Sequence, residues 1–186
     1  AANLIAHSAF ATSGQRCSCA RRLIVPQNAE GDAIIAGLAD LTRRISVGPA
    51  SQTPEPFMGP LVNAQAAERA LKFEHALIAM GGASIVAVER DGAFVRPGIV
   101  DVTGLSPPDE ELFGPVLQVY RASDFDHAID VSLAATRRYG LAQYPLLAVV
   151  IPVFAKLETS FEEQLLRANR PTCETAGHFH YVPLGI

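Results

Sequence analysis

A thiol that directly follows a chain reversal is the first group in this sequence able to form a covalent bond with a substrate. Gly14-Gln15-Arg16-Cys17 puts it there, with Arg16 adjacent and Arg21 and Arg22 close behind, and nearby positive charge favours thiolate over thiol. A thiolate attacks electrophilic carbon, so Cys17 is the candidate catalytic residue. The competing reading is that Cys17 and Cys19 are inert, since free cysteine is among the most buried residue types. The pair lacks the second set of ligands that a soft-metal site requires. Glu110-Glu111 with Phe113 is the other group of interest; taken alone, adjacent carboxylates are a solvated loop feature and a single phenylalanine belongs to a core. His178 and His180 have no evident carboxylate or thiol partners, and no metal is expected. His7, His75 and His127 fall in helical patterns and read as structural groups.

The elements that must position these groups alternate. Leu4, Ile5, Ser8 and Phe10 lie at near-helical spacing and Ser13-Gly14 stops that helix just before Cys17. Arg22 to Val25 reads as a strand ended by Pro26, and Ile34, Ile35, Leu38, Leu41 and Ile45 mark the apolar face of a helix closed by Gly48-Pro49. A Pro-rich connection leads to a helix capped by Asn63, striped by Ala67, Leu71 and Ile78, and stopped by Gly81-Gly82. Ser84 to Val88 is strand-like, and Asp91-Gly92 signals a hairpin between Ile85–Val88 and Ala93–Val95. Strands follow at Ile99 to Val102 and Val116 to Tyr120. Ser123 with Asp126 opens a further helix that ends at Gly140. Leu141 to Val153 holds one strand, Thr159 with Glu162 caps a helix, and the chain beyond Asn169 reads as loop. The pattern predicts an α/β fold with an open, mostly parallel twisted sheet flanked by helices.

With 186 residues, 49% of them apolar and 18% charged, there is material for one sizeable core. A net charge of -4 gives no basic footprint, so neither nucleic acid nor an anionic membrane is an expected partner. Leu146 to Ala155, the longest apolar stretch, is interrupted by Pro152 and falls short of the roughly 20 residues a membrane helix requires. Three cysteines make no disulfide framework and fit a reducing cytoplasm. The chain opens without Met, partway through a helical pattern, and reads as a processed product or an excised piece of something longer.

The string Ser-Gly-Gln-Arg-Cys17-Ser-Cys-Ala-Arg-Arg22 resembles the active-site segment of aldehyde dehydrogenases, whose pattern is Gly-Gln-x-Cys. Glu110-Glu-Leu-Phe-Gly-Pro-Val116 is similar to that family's Glu-Glu-x-Phe-Gly-Pro-Val segment, in the expected order and at the expected separation. The resemblance implies an aldehyde as small-molecule substrate, Cys17 as nucleophile, Glu111 accepting the nicotinamide ribose hydroxyls of NAD or NADP, and Phe113 beside the nicotinamide. It implies homo-oligomers for the parent enzyme. Together with Pro97–Thr103 and Asn169-Arg-Pro-Thr172, the cysteine segment is most similar to the branch that acts on succinylglutamate semialdehyde in arginine breakdown. That substrate carries carboxylates, for which Arg16 and Arg170 are the candidate partners.

The resemblance covers Ala1 to Ala142 as a catalytic-domain portion, with residues 143–186 a divergent C-terminal part of the same domain. In the family, the dinucleotide-binding domain, the water-activating glutamate and the oxyanion-hole asparagine precede the cysteine; these 186 residues contain none of them and no G-x-G-x-x-G. The isolated chain is therefore expected to bind no cofactor and to turn over negligibly. Two other readings stand beside this one: a non-catalytic fragment or assembly module that keeps the catalytic-domain fold, and a cysteine hydrolase pairing Cys17 with a histidine.

Overall fold

The computed structural model describes residues 1–17, 19–107, 110–138 and 148–150. Helix α1 (Ala2–Phe10) leads through a left-handed turn to strand β1 (Arg22–Pro26) and helix α2 (Ala29–Arg43). Helix α3 (Ala64–Ala79) precedes β2 (Ala83–Val86), the pair β3 (Glu89–Asp91) and β4 (Phe94–Arg96), and β5 (Gly98–Asp101). Then come β6 (Val116–Ala122), α4 (Phe125–Arg138) and β7 (Ala148–Val150), which falls inside the Leu141–Val153 window. The helix at Thr159, the loop beyond Asn169, Arg170, Cys173, His178 and His180 lie outside the described residues.

Five strands form one sheet in the order β2-β5-β6-β1-β7, parallel throughout except for antiparallel β2 at the edge. This is the open, mostly parallel α/β sheet that the alternation of elements predicts. Successive residues of a strand face opposite sides, and both sides of β1 are buried. Leu23 and Val25 join Leu117, Val119 and Ile99 under α1 and α2, where Phe10 and Leu38 are fully enclosed. Ile24 joins Val100, Val116 and Tyr120 under α3, with Ala67, Ala70 and Leu77, and Ala128 of α4 belongs to the same cluster.

Local chemistry sets the ends of these elements. Asn28 starts α2, its side-chain oxygen accepting the N–H groups of Glu30 and Gly31 at 3.0 and 3.1 Å. Asn63 starts α3 as expected, accepting from Ala66 N–H at 2.8 Å. At α4 the cap is Asp124 rather than Ser123: Asp124 accepts the His127 N–H at 2.9 Å, and the His127 ring nitrogen accepts from Ser123 N–H at 3.2 Å. The acceptor for the first turn thus stands one residue later than the Ser123 and Asp126 pattern places it.

The Asp91-Gly92 turn forms, but it joins β3 to β4, not Ile85–Val88 to Ala93–Val95. Ala83, Ser84 and Val86 pair with β5 instead, across a register shift. Beyond β2, the carboxylate of the buried Glu74 of α3 accepts the Val88 N–H at 2.9 Å and takes that group out of any ladder. Burial raises the Glu74 carboxyl above its usual range, against the opposing effect of the Val88 bond.

Candidate active site

The α-helical part of the first segment ends at Phe10, and Thr12, Ser13 and Gly14 then take successive left-handed conformations with φ of 52°, 58° and 66°. Such backbone is unfavourable for the two residues that carry a Cβ. Side-chain and backbone bonds hold it: Ser13 Oγ donates to the Gly59 carbonyl at 2.8 Å, and Gln15 Oε1 accepts the Val62 N–H at 2.8 Å. Beyond the turn, Cys19 N–H donates to the Arg16 carbonyl at 3.1 Å, closing a tight bend that contains Cys17. Ala20 N–H ties the bend back to Ser8 of α1.

This geometry separates the two thiols. Cys17 is exposed, whereas Cys19 is buried with its sulfur donating weakly to the Ala11 carbonyl at 3.5 Å. Arg16 is exposed beside Cys17. Of the other two arginines, Arg22 turns onto the Tyr120 ring, 5.5 Å from its centroid, while Arg21 is 3% exposed and points into the bend, where Nη2 donates to the Arg16 carbonyl at 2.9 Å.

The second segment arrives through the sheet. Strands β1 and β6 run parallel with Arg22 opposite Gln118, so the loops before them, carrying Cys17 and Glu111–Pro115, emerge at the same end. The loops touch where Gly14 meets Gly114: a Cβ at Gly14 would stand 2.4 Å from the Gly114 carbonyl oxygen. Arg21 spans the junction, with Nε 3.7 Å from Glu111 Oε1 and the guanidinium carbon 5.2 Å from the Phe113 centroid. Glu111 keeps a third of its side chain exposed, and Phe113 is 44% exposed instead of lying in the core. Burial lowers the Arg21 pKa from the usual guanidinium range, while Cys19, Glu111 and Cys17 pull it upward.

Cys17, Glu111 and Phe113 thus share one end of the sheet, with Arg16 beside them. Gly14, Gly114, Ser13 and Gln15 form the frame, a role that neither residue type nor spacing announces. His7 is used in an edge-on contact with Phe57, centroids 4.9 Å apart, and His127 in the start of α4.

The aldehyde dehydrogenase family model matches residues 1–145. The chain belongs to the aldehyde dehydrogenase family. N-succinylglutamate 5-semialdehyde dehydrogenase 2 of Caulobacter vibrioides is 44% identical over 188 residues, covering 99% of this chain and 38% of the relative. The N-succinylglutamate 5-semialdehyde dehydrogenase of Ectopseudomonas mendocina is 46% identical over 142 residues, covering 74% of this chain and 29% of the relative. Among solved structures, methylmalonate-semialdehyde dehydrogenase of Oceanimonas doudoroffii shares the fold with a TM-score of 0.72 at 22% identity, over 90% of this chain and 34% of that one. A 1-pyrroline-5-carboxylate dehydrogenase from Thermus with bound NAD is 31% identical, with a TM-score of 0.58 over 70% of this chain and 26% of that one. This aldehyde dehydrogenase chain therefore spans 38% of the length of the first of these relatives. Among its described residues no helix is long and apolar enough to cross a membrane.

Proposed function

We propose that this chain is the nucleophile-bearing part of an NAD(P)-dependent aldehyde dehydrogenase that oxidises N-succinylglutamate 5-semialdehyde to the carboxylate in the cytoplasm, as a step of arginine breakdown. The observation that carries the reading is that the segment carrying an exposed Cys17 meets the Glu111–Pro115 loop at the Gly14–Gly114 contact. The names of the relatives supply the substrate.

In this reading the Cys17 thiolate adds to the aldehyde carbon, and the oxyanion of the resulting thiohemiacetal is held in part by the Cys17 backbone N–H. The bound cofactor supplies the hydride acceptor. Loss of hydride from the former aldehyde carbon leaves a thioester on Cys17, and attack by water releases the carboxylate and returns the thiolate. Glu111 suits the cofactor because its carboxylate is partly exposed and accepts hydroxyl donors; Phe113 offers an exposed apolar face beside it. Arg16, exposed next to Cys17, pairs with a substrate carboxylate, and Arg170 is proposed for the same task.

The test is limiting iodoacetamide followed by peptide mass spectrometry. Cys17 is expected to be alkylated well before Cys19 and Cys173. Equal labelling of Cys17 and the buried Cys19 would sink the reading. NADH formation by this chain alone is expected to be negligible.

A further inference from the structure

A second buried guanidinium, that of Arg22, meets a cavity that the Cys17 chemistry does not use. Arg22 opens β1 opposite Gln118 and is 6% exposed, with its guanidinium carbon 5.5 Å from the ring centroid of Tyr120, the next residue on the same face of β6. Its Nε has no hydrogen-bond partner among the described residues. An aromatic face offsets part of the cost of enclosing a cation, but it does not replace the oxygen acceptors that water gave the group.

The cavity has a volume of about 350 Å³ and lies between the 103–107 loop and α4, with Arg22 and Tyr120 in its wall. That is the size of a small-molecule site and more than a bare ion needs. Among the described residues no carboxylate lines it. Arg121 reaches it too, but Asp101 and Asp32 already hold that guanidinium at 2.8 and 2.6 Å, so the unmatched charge is that of Arg22. His127 adds a donor: its Nδ1 accepts the Ser123 N–H at 3.2 Å, which leaves the ring proton on Nε2. The 103–107 loop follows β5, Gln27 follows β1 and His127 stands in the first turn of the helix after β6. Three of the walls therefore come from beyond the carboxyl ends of parallel strands, where open α/β sheets take ligands. Cys17 precedes β1 and Glu111 precedes β6, and neither lines the cavity.

We propose that this cavity is a second binding site, for a small organic carboxylate. Arg22 pairs with the carboxylate, Tyr120 and Val131 face its apolar body, and His127 supplies a further donor.

Benzoate is the probe, because it joins a carboxylate to a flat apolar body; benzamide, of the same shape without the charge, is its control. Titration into the full isotope-labelled chain, followed by backbone amide shifts, is expected to show saturable movement at Gly104, Leu105 and His127 with a dissociation constant of about 1 mM. Benzamide is expected to bind about tenfold more weakly or worse, and Arg22→Gln to weaken benzoate by a similar factor. Val131→Phe, which fills the cavity and leaves Arg22 in place, is expected to do the same.

No saturable shift, shifts confined to the neighbourhood of Arg16 and Cys17, or equal affinity for benzoate and benzamide would overturn the proposal, as would unchanged binding by Arg22→Gln. Should Arg22→Gln fail to fold by circular dichroism, the benzamide comparison and Val131→Phe decide it, and benzoate binding left intact by Val131→Phe overturns it. None of these outcomes depends on the reactivity of Cys17, so this site and the dehydrogenase reading stand or fall separately.

Discussion

Replacing Gly14 with alanine tests the contact on which the site depends. The new methyl carbon would stand 2.4 Å from the Gly114 carbonyl oxygen, 2.6 Å from its carbon and 3.0 Å from Pro115 nitrogen. All three obstacles are backbone, so no side-chain rotation relieves the overlap. The loops must part by roughly 0.8 Å for a carbon and an oxygen to reach contact distance, and overpacking of this kind costs about 1–3 kcal/mol. A Cβ at φ 66° adds about 1–2 kcal/mol. The expected loss is therefore about 2–5 kcal/mol, which in a chain of this length lowers the melting midpoint by roughly 5–15 °C.

Urea titration followed by circular dichroism measures it, and Gly114→Ala is the control. At Gly114 the nearest atoms to a new Cβ are 3.4 Å away, on Ala70 and Leu112, which is ordinary contact, so that variant is expected to stay within about 1 kcal/mol of wild type. Equal stability of the two variants, or a Gly14→Ala loss below about 1 kcal/mol, would refute the account of how the two loops meet.

Acid stability, helix capping and the buried carboxyl of α3 give three more expectations. Burial pushes the Asp101 carboxyl up, but bonds from Thr103 and from Arg121, at 2.6 and 2.8 Å, outweigh it and hold the group below its usual range. A depressed folded pKa contributes stability above the unfolded value near 3.9, lost as pH falls through the folded one, so thermal midpoints of Asp101→Asn should show a shallower decline than wild type below about pH 4. Asn63→Ala should cost about 1 kcal/mol in urea titration by leaving the Ala66 N–H of α3 without its acceptor. At Glu74 the raised pKa means that ionisation opposes folding as pH rises from the unfolded value towards the folded one. Glu74→Gln, which keeps an acceptor for Val88 N–H, should match or exceed wild type at pH 7, while Glu74→Ala should lose about 1–3 kcal/mol.

The helices and the parallel strands were legible because their signals are local: Asn63 before an apolar stripe, Pro26 after Arg22–Val25, Gly81-Gly82 after α3. The partner of Ile85–Val86 was not, since a two-residue period identifies a strand without saying which neighbour it joins. Within the site, the residue type and setting of Cys17 and the carboxylate of Glu111 could be read from the chain. Their proximity follows from the parallel pairing of β1 with β6, a tertiary fact. Thr12 and Ser13 gave no warning of left-handed backbone, which residues bearing a Cβ rarely adopt. Nor did Arg21 and Arg22 announce their burial, for arginine is ordinarily a surface residue and nothing in Cys-Ala-Arg-Arg says that the first guanidinium turns into the bend and the second onto Tyr120.

The two ends of this sheet are built differently. Where β5 and β6 finish, Arg121 clasps Asp101 and reaches Asp32 in the first turn of α2, a purely architectural knot. The loops that carry Cys17 and Glu111 lie at the opposite rim, some 15–20 Å away along strands of five to seven residues. Gly104 opens the connection that runs from this knot back to Glu111 and the start of β6, so lengthening the turn there acts on both rims at once.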